Sequence, residues 1–511
     1  MKKKIQEITS LICIMSVVVL MLGTVYSCKE DALINEVNGS NPNEKPESKS
    51  LSSNSLPFFK GADLSYVNEL EDVGVVLTED GVGKDAYSIV HDHGANLIRI
   101  RLWHNPTWTN YSTLQDVEKS IARAKALNMY VLLDFHYSDT WTDPQQNKIP
   151  AAWLPVIDNT SVLADSVSLY TTRILTHLKN KDLLPELVQI GNEINKNIMV
   201  RDTTEIEPVN LARNATLLSA GINAVKSFNK TYNKNIKTIL HIAMDAKDVK
   251  VWVSNMEANN IANYDMVGLS YYPQWQDYDT EELGELCRYI TNKYNRQIII
   301  AETGHIWTRK WNDLSHNLMS KMAIGFPDAP CPQLQKDYLE MVKRAVRENG
   351  GAGVIAWEPE WVSASNVTLW GVGSNWENVA FFDFNNALMK PGGIEFYSDN
   401  NVEVTFRVDM TGVDVSNGVY ITGEFTTNDE GNWQFFDMKQ EGNSNIYYFK
   451  TFLNPGQNGA YYYLNAKDWN AKEYVPQECQ EKWDNRLYSI PNNVSVYTYS
   501  NVWSSCSTIN E

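Results

Sequence analysis

Two glutamates are the residues most readily given chemistry: Glu193 in LVQIGNEI and Glu302 in QIIIAETG. Each comes where a short apolar, β-branched run breaks off, so each is expected at the C-terminal end of a buried strand. Two more strand-and-helix units separate them, which puts them on different strands of one barrel. Carboxyls held about 5–5.5 Å apart break an acetal by double displacement, one protonating the leaving oxygen while the other attacks the anomeric carbon. A pair of this kind points to cleavage of a glycosidic bond with retention.

The proton donor must stay protonated near neutral pH, which needs apolar surroundings or a nearby negative charge. The attacking carboxylate must be ionised, and Arg99 with Tyr272 can supply the charge and the hydrogen bond for that. Asn192, just before Glu193, offers an amide to a sugar 2-hydroxyl, and Trp357 offers a flat floor for the sugar at the cleavage point. Each has a plainer reading. Arg99 or Arg101 belongs to a structural ion-pair network, one of Tyr271 and Tyr272 is core packing, and His136 alone reads as a buried histidine satisfied by Asp134.

Eight apolar runs separated by helical stretches must position these groups: FFKGADLSY, LIRIRLW, YVLLDFHY, LVQIGNE, TILHIA, MVGLSYY, QIIIAETG and GVIAWEP. Their number and spacing predict a (β/α)8 TIM barrel over residues 57–397, with its active site at the C-terminal strand ends. An open doubly wound sheet is disfavoured, because no Gly-rich phosphate loop follows the first run. Val117, Ile121, Ala124 and Leu127 recur at helical spacing after a cap at Thr113 or Ser112. From residue 401 to 511 the texture changes to alternating strands between Asn, Gly, Asp and Ser turns, which predicts a small antiparallel β-sandwich.

The net charge of -18, with 44 Lys+Arg against 62 Asp+Glu, repels nucleic acid and acidic polymers and favours a neutral partner. The chain opens on Met1-Lys-Lys-Lys and an apolar stretch from Leu11 to Gly23, too short for a comfortable membrane span. Residues 1–28 thus predict a lipoprotein signal peptide, since Val25-Tyr26-Ser27-Cys28 resembles a lipobox with Cys28 as the lipidated residue. An ordinary signal peptide is the alternative. The acidic Lys29-Glu30-Asp31 resembles the export signal of surface lipoproteins, which implies an outer-membrane, cell-surface location. Residues 29–56 are too polar to fold and are expected to form a tether. Cys479 and Cys506 share the C-terminal region and are able to pair in an oxidising compartment. No cysteine or histidine spacing suggests a metal.

With these residues in place, a resemblance becomes specific. KGADLSY, IRIRLWHNP, LLDFHYSDTWTDPQQNKIPAAW, VQIGNEIN, GLSYYPQW, IIIAETG, AWEPEW and GSNWENVAFFDF together resemble the endo-β-1,4-galactanases of glycoside hydrolase family 53, over about Phe58 to Pro391. The resemblance implies that Glu193 is the acid/base and Glu302 the nucleophile, and that the neutral substrate is β-1,4-galactan or type I arabinogalactan of pectin. It also implies that His136, Trp103, Asp139, Trp141 and Trp361 line the cleft. No cofactor is implied. Some bacterial members carry a calcium loop after the seventh strand with Asp-x-Asp-x-His spacing, which WTRKWNDLSHN lacks. The chain is expected to act as a monomer. Two other readings are a clan relative cutting mannan, xylan or glucan, and a glycan-capture lipoprotein without catalysis. The C-terminal region resembles starch-binding-like β-sandwich modules, with Trp433, Trp469 and Trp483 as a candidate sugar platform. A structural spacer is the alternative reading.

Overall fold

The computed structural model describes residues 56–202, 208–365, 371–480 and 484–509, and the backbone alone of residues 367–368. The expected leader with Cys28, the tether up to Ser55, and Trp483 lie outside the described residues.

Eight parallel strands close into a barrel: β1 Phe59–Asp63, β2 Leu97–Leu102, β3 Tyr130–Phe135, β4 Leu187–Ile190, β5 Lys237–Ile242, β6 Met266–Tyr271, β7 Gln297–Thr303 and β8 Gly353–Trp357. Each comes from one of the eight apolar runs, and each is almost wholly buried, as strands walled by helices outside and side chains inside must be. Closure between β8 and β1 depends on a missing side chain. A Cβ on Gly353 would sit 2.6 Å from the Phe59 carbonyl oxygen.

The helices are α1 Val67–Asp72, α2 Ala86–Asp92, α3 Leu114–Ala126, α4 Thr160–Lys179, α5 Leu211–Tyr232, α6 Ala246–Ala258, α7 Thr280–Tyr294 and α8 Pro332–Glu348. In α3 the Thr113 side chain accepts from the Asp116 amide at 3.3 Å, and Val117, Ile121 and Ala124 face the core. After β8 a 3-10 turn, Gly393–Tyr397, takes the outer position. Its Tyr397 hydroxyl donates to the Gly61 carbonyl at 3.1 Å.

Strands β9 Val402–Asp409, β10 Tyr420–Gly423, β11 Phe436–Asp437, β12 Lys439–Gln440, β13 Ile446–Leu453, β14 Asn458–Leu464, β15 Arg486–Ser489 and β16 Val496–Val502 form the second region. They make two four-stranded sheets, ordered β12-β13-β9-β16 and β11-β10-β14-β15. Along β9 the alternation is complete, with Val402, Val404, Phe406 and Val408 inward. One pairing departs from the expected antiparallel pattern. β16 runs parallel to β9, because the chain reaches it by crossing over from β15 in the other sheet. Cys479 and Cys506 form a disulfide across this region.

Barrel and sandwich share a core. Ala329, Cys331 and Leu334 cluster with Val404, Phe406, Phe425 and Leu453. Buried polar contacts reinforce it: Asp337 on α8 accepts from the Phe452 amide and the Thr451 hydroxyl, both at 2.8 Å.

Candidate active site

β4 ends at Ile190, and the chain then turns sharply through Gly191 at φ 85°. Glu193 therefore sits three residues beyond the strand rather than capping it. Its own φ is 45°, a left-handed conformation that costs a residue with a side chain about 1 kcal/mol or more and that clusters at functional positions. Glu302 is inside β7, one residue before its end. A carboxylate oxygen of Glu193, one of Glu302 and a ring nitrogen of His241 all lie within 4.8 Å of one another. The Ser270 hydroxyl, from β6, lies between the carboxyls, 2.6 Å from Glu193 Oε1 and 3.4 Å from Glu302 Oε2. On its other side it is 3.0 Å from His241 Nε2, while His241 Nδ1 is 2.8 Å from Asn192 Oδ1. Both ring nitrogens of His241 are thus engaged by the protein, which leaves the two carboxyls as the reactive groups.

The environments of the two carboxyls differ. Burial raises Glu193 far above the ordinary carboxylate range, and the neighbouring Glu302 charge adds to the effect. Glu302 is also raised by burial, but the Arg99 guanidinium at 2.8 Å pulls it back down. Two carboxyls so close share one proton, and this asymmetry puts it on Glu193. The Tyr272 hydroxyl donates to Glu302 Oε2 at 3.3 Å.

Arg99 is the hub beneath the site, with all its donors occupied. Nε reaches Gln189 at 3.2 Å. One terminal nitrogen reaches Asp63 at 2.6 Å and Glu302 at 2.8 Å. The other reaches Asp134 and Asn192, each at 2.9 Å. At 1 % exposure it touches no solvent, and three carboxylates hold it firmly protonated against the cost of burial. It acts on substrate only through Glu302 and Asn192. Arg101 forms a second node, 3.0 Å from Glu358 and 4.0 Å over the Trp141 ring.

Tyr272, hydrogen-bonded to Glu302, belongs to a continuous belt of rings. Trp108 meets Trp103 at 4.9 Å, Trp103 meets Trp141 at 5.5 Å and Trp141 meets Trp357 at 6.2 Å. From Trp357 the belt goes on to Trp376 at 4.8 Å, then Tyr272 at 5.6 Å and Trp275 at 5.1 Å. The interior members are buried or half-buried, whereas the ends, Trp108 and Trp275, are 39 % and 51 % exposed.

Several expected substrate contacts have structural partners instead. Trp361 is 0 % exposed and stacked on Tyr66 at 4.3 Å, so it braces the belt from behind and offers no face to a sugar. His136 has one ring nitrogen 3.0 Å from Asp134 and the other 3.1 Å from Thr142, and burial keeps it neutral, so it holds the wall beside Trp103 and Trp141. Asp139 accepts from the Asn105 and Ala151 amides, at 2.9 and 2.8 Å, and thereby pins two loops. The Asn192 amide nitrogen donates to the Thr142 carbonyl at 2.8 Å, leaving its second hydrogen for a ligand.

Sequence reasoning passes over Gln189, His241, Ser270 and Trp376. The first three carry a usable signal, a polar side chain at an inward position of an otherwise apolar strand. Trp376, in a loop after β8, carries no such periodicity and is marked only by its place in GSNWENVAFFDF.

Comparison with known proteins bears on this geometry. The model of glycosyl hydrolase family 53 matches residues 59–391, the barrel without the sandwich. An arabinogalactan endo-β-1,4-galactanase of Cellvibrio japonicus is 45% identical over 349 residues, 67% of this chain and 91% of that protein. An endo-β-1,4-galactanase of Bacillus subtilis is 30% identical over 341 residues, 62% of this chain and 76% of its own length. Among solved structures, the GH53 catalytic domain of Ignisphaera aggregans superimposes with a TM-score of 0.60 at 28% identity, covering 67% of this chain and 97% of that one. A fungal β-1,4-galactanase gives 0.57 at 25% identity, covering 66% and 98%. The chain belongs to glycosyl hydrolase family 53.

Proposed function

We propose that this enzyme cuts internal β-1,4-galactosidic bonds of galactan and type I arabinogalactan with retention of configuration, Glu193 serving as acid/base and Glu302 as nucleophile. The carrying observation is the close carboxyl pair, unequal in environment, with Tyr272 of the aromatic belt hydrogen-bonded to Glu302. Glu193 gives its proton to the leaving glycosidic oxygen as Glu302 attacks the anomeric carbon. The C–O bond to the leaving sugar breaks and a galactosyl ester forms on Glu302. Glu193, now a carboxylate, takes a proton from water, whose oxygen displaces Glu302 from the same carbon. The free Asn192 hydrogen is suited to the 2-hydroxyl, a bond that strengthens as positive charge builds on the ring. Trp357 provides the floor for that ring.

Release of reducing ends from linear galactan, set against mannan, xylan and glucan, tests the substrate. Cleavage of mannan with galactan untouched would reject it. A proton NMR time course of the first product tests the stereochemistry, with the β-anomer expected to appear before mutarotation.

The leader motif supports a further reading: Cys28 carries lipid, and residues 29–56 tether a monomeric enzyme to the outer surface of the outer membrane. Metabolic labelling with a fatty-acid analogue tests it, since Cys28→Ala should abolish incorporation.

A further inference from the structure

One hydroxyl stands between the two carboxyls, and it carries a single hydrogen. Ser270 Oγ lies 2.6 Å from Glu193 Oε1, 3.0 Å from His241 Nε2 and 3.4 Å from Glu302 Oε2. Three groups able to accept a hydrogen bond thus face one donor. Glu302 is served elsewhere, by the Arg99 guanidinium at 2.8 Å and the Tyr272 hydroxyl at 3.3 Å. The contest for the Ser270 hydrogen is between Glu193 and His241.

The far side of the imidazole decides it. Asn192 has a fixed orientation, because its amide nitrogen faces the Thr142 carbonyl at 2.8 Å and its Oδ1 faces the Arg99 guanidinium at 2.9 Å. A carbonyl can only accept and a guanidinium only donate. The same Oδ1 lies 2.8 Å from His241 Nδ1, so that ring nitrogen carries a hydrogen. The Gln189 amide nitrogen is also 3.2 Å from Nδ1, but its hydrogens have the Asp134 carboxylate at 2.6 Å and the Gly191 carbonyl at 3.2 Å. His241 is fully buried, and burial together with the Arg99 and His136 beside it keeps it neutral against the pull of Asp134. A neutral ring protonated at Nδ1 has a bare Nε2. Ser270 must then donate to that nitrogen, which leaves the Ser270 oxygen to accept.

We infer that Ser270 is a positioning residue that keeps the catalytic proton on Glu193, accepting from the Glu193 carboxyl and passing its own hydrogen to His241. This rests on the reading of Glu193 as acid/base. The chain Glu193–Ser270–His241–Asn192 runs in one direction, and all its links are made only while Glu193 is protonated. When the Glu193 O–H bond breaks and the proton goes to the leaving oxygen, the Ser270 hydroxyl rotates toward the new carboxylate and His241 Nε2 loses its partner. A buried acceptor left unpaired is unfavourable, so Glu193 is drawn to recover a proton from the water of the second step. Burial, Glu302 and Asp143 act on Glu193 in the same sense, and Arg99 in the opposite one.

Neutron diffraction from the deuterated full chain, at a pH where it is active, locates the hydrogens directly. Deuterium is expected on Glu193, on Ser270 toward His241 Nε2, and on His241 Nδ1. Deuterium on His241 Nε2, or none on Glu193, overturns the inference. The alkaline limb of the kcat/KM profile is a second readout. His241→Phe frees the Ser270 hydrogen for the Glu193 carboxylate, so the limb should move down by about half a pH unit or more. Loss of a ring that donated from Nε2 would move it up, and a limb that rises or stays still overturns the inference. Added to Ser270→Ala, His241→Phe should leave the limb in place, since its effect passes through the hydroxyl; an undiminished shift there also overturns it. Should His241→Phe fail to fold, as its melting temperature would show, the neutron map of the parent decides alone. Failure of the parent to cleave galactan would overturn the functional reading, whereas an active galactanase with deuterium on His241 Nε2 overturns the proton chain alone.

Discussion

Between Glu193 and Glu302 the decisive quantity is where one proton resides. Catalysis needs it on Glu193, and both carboxyls titrate above the ordinary range because their surroundings desolvate them, Glu302 buried and Glu193 half-buried. Activity should therefore fall on the acid side as Glu302 takes up a proton and on the alkaline side as Glu193 loses its own, with the bell displaced upward from ordinary carboxyl values. A kcat/KM profile checks this, and Glu193→Gln should remove the alkaline limb while lowering kcat by about a thousandfold or more for substrates with poor leaving groups. Arg99 has a different signature. Loss of its guanidinium leaves Asp63, Asp134 and Glu302 buried together, so Arg99→Met should lower unfolding free energy by about 3–5 kcal/mol in denaturant titration. Much of this was legible in the sequence: the two glutamates and Tyr272 stand at ends of apolar runs, and Arg99 is a charge inside one. His136 and Trp361 were not, since a run's end tells that a side chain is near the mouth but not whether its neighbours already enclose it.

At the scale of elements, α8 carries more than its share. Its outer face is not wet like that of a typical barrel helix but buried under β13 and under residues 393–401, which is why Gln333, Lys336, Asp337, Glu340 and Lys343 all lack exposure. The alternation of β9 and the eight barrel runs could be read directly, because strand burial leaves its period in the residues. The seam could not, because polar residues on one helix face are indistinguishable from a solvated surface until their partners are known. Asp337 gives the seam a pH dependence. Burial raises its carboxyl from 3.8 to about 7, so the folded chain holds this proton more tightly than the unfolded chain does. Its contribution to stability is full below about 3.8 and is lost as pH rises through about 7. Asp337→Asn mimics the protonated form, so the melting temperature of the parent should drop by several degrees relative to this variant across that window.

Over the whole molecule, barrel and sandwich form one compact unit, and the family match ends at Pro391, before the sandwich begins. Truncation after Tyr397 would strip cover from Ala329, Cys331 and Leu334, take Asn454 from Lys336, and take Thr451 and Phe452 from Asp337. The isolated barrel should accordingly melt well below the full chain and aggregate on storage, as light scattering would reveal. The surface charge makes a separate prediction. For an uncharged polymer there is no long-range steering to screen, so kcat/KM should change less than about twofold between roughly 20 and 300 mM salt.

The ring belt has a bearing on how the enzyme would behave in bulk. Trp108 and Trp275 are exposed at the two ends of the belt, with half-buried Trp357 between them, so a strand can lie from one flank to the other without presenting a terminus. Random scission of that kind collapses the thickness of a solution long before much sugar is freed. A flow-time measurement should therefore register the first cuts well ahead of any chemical count of new ends.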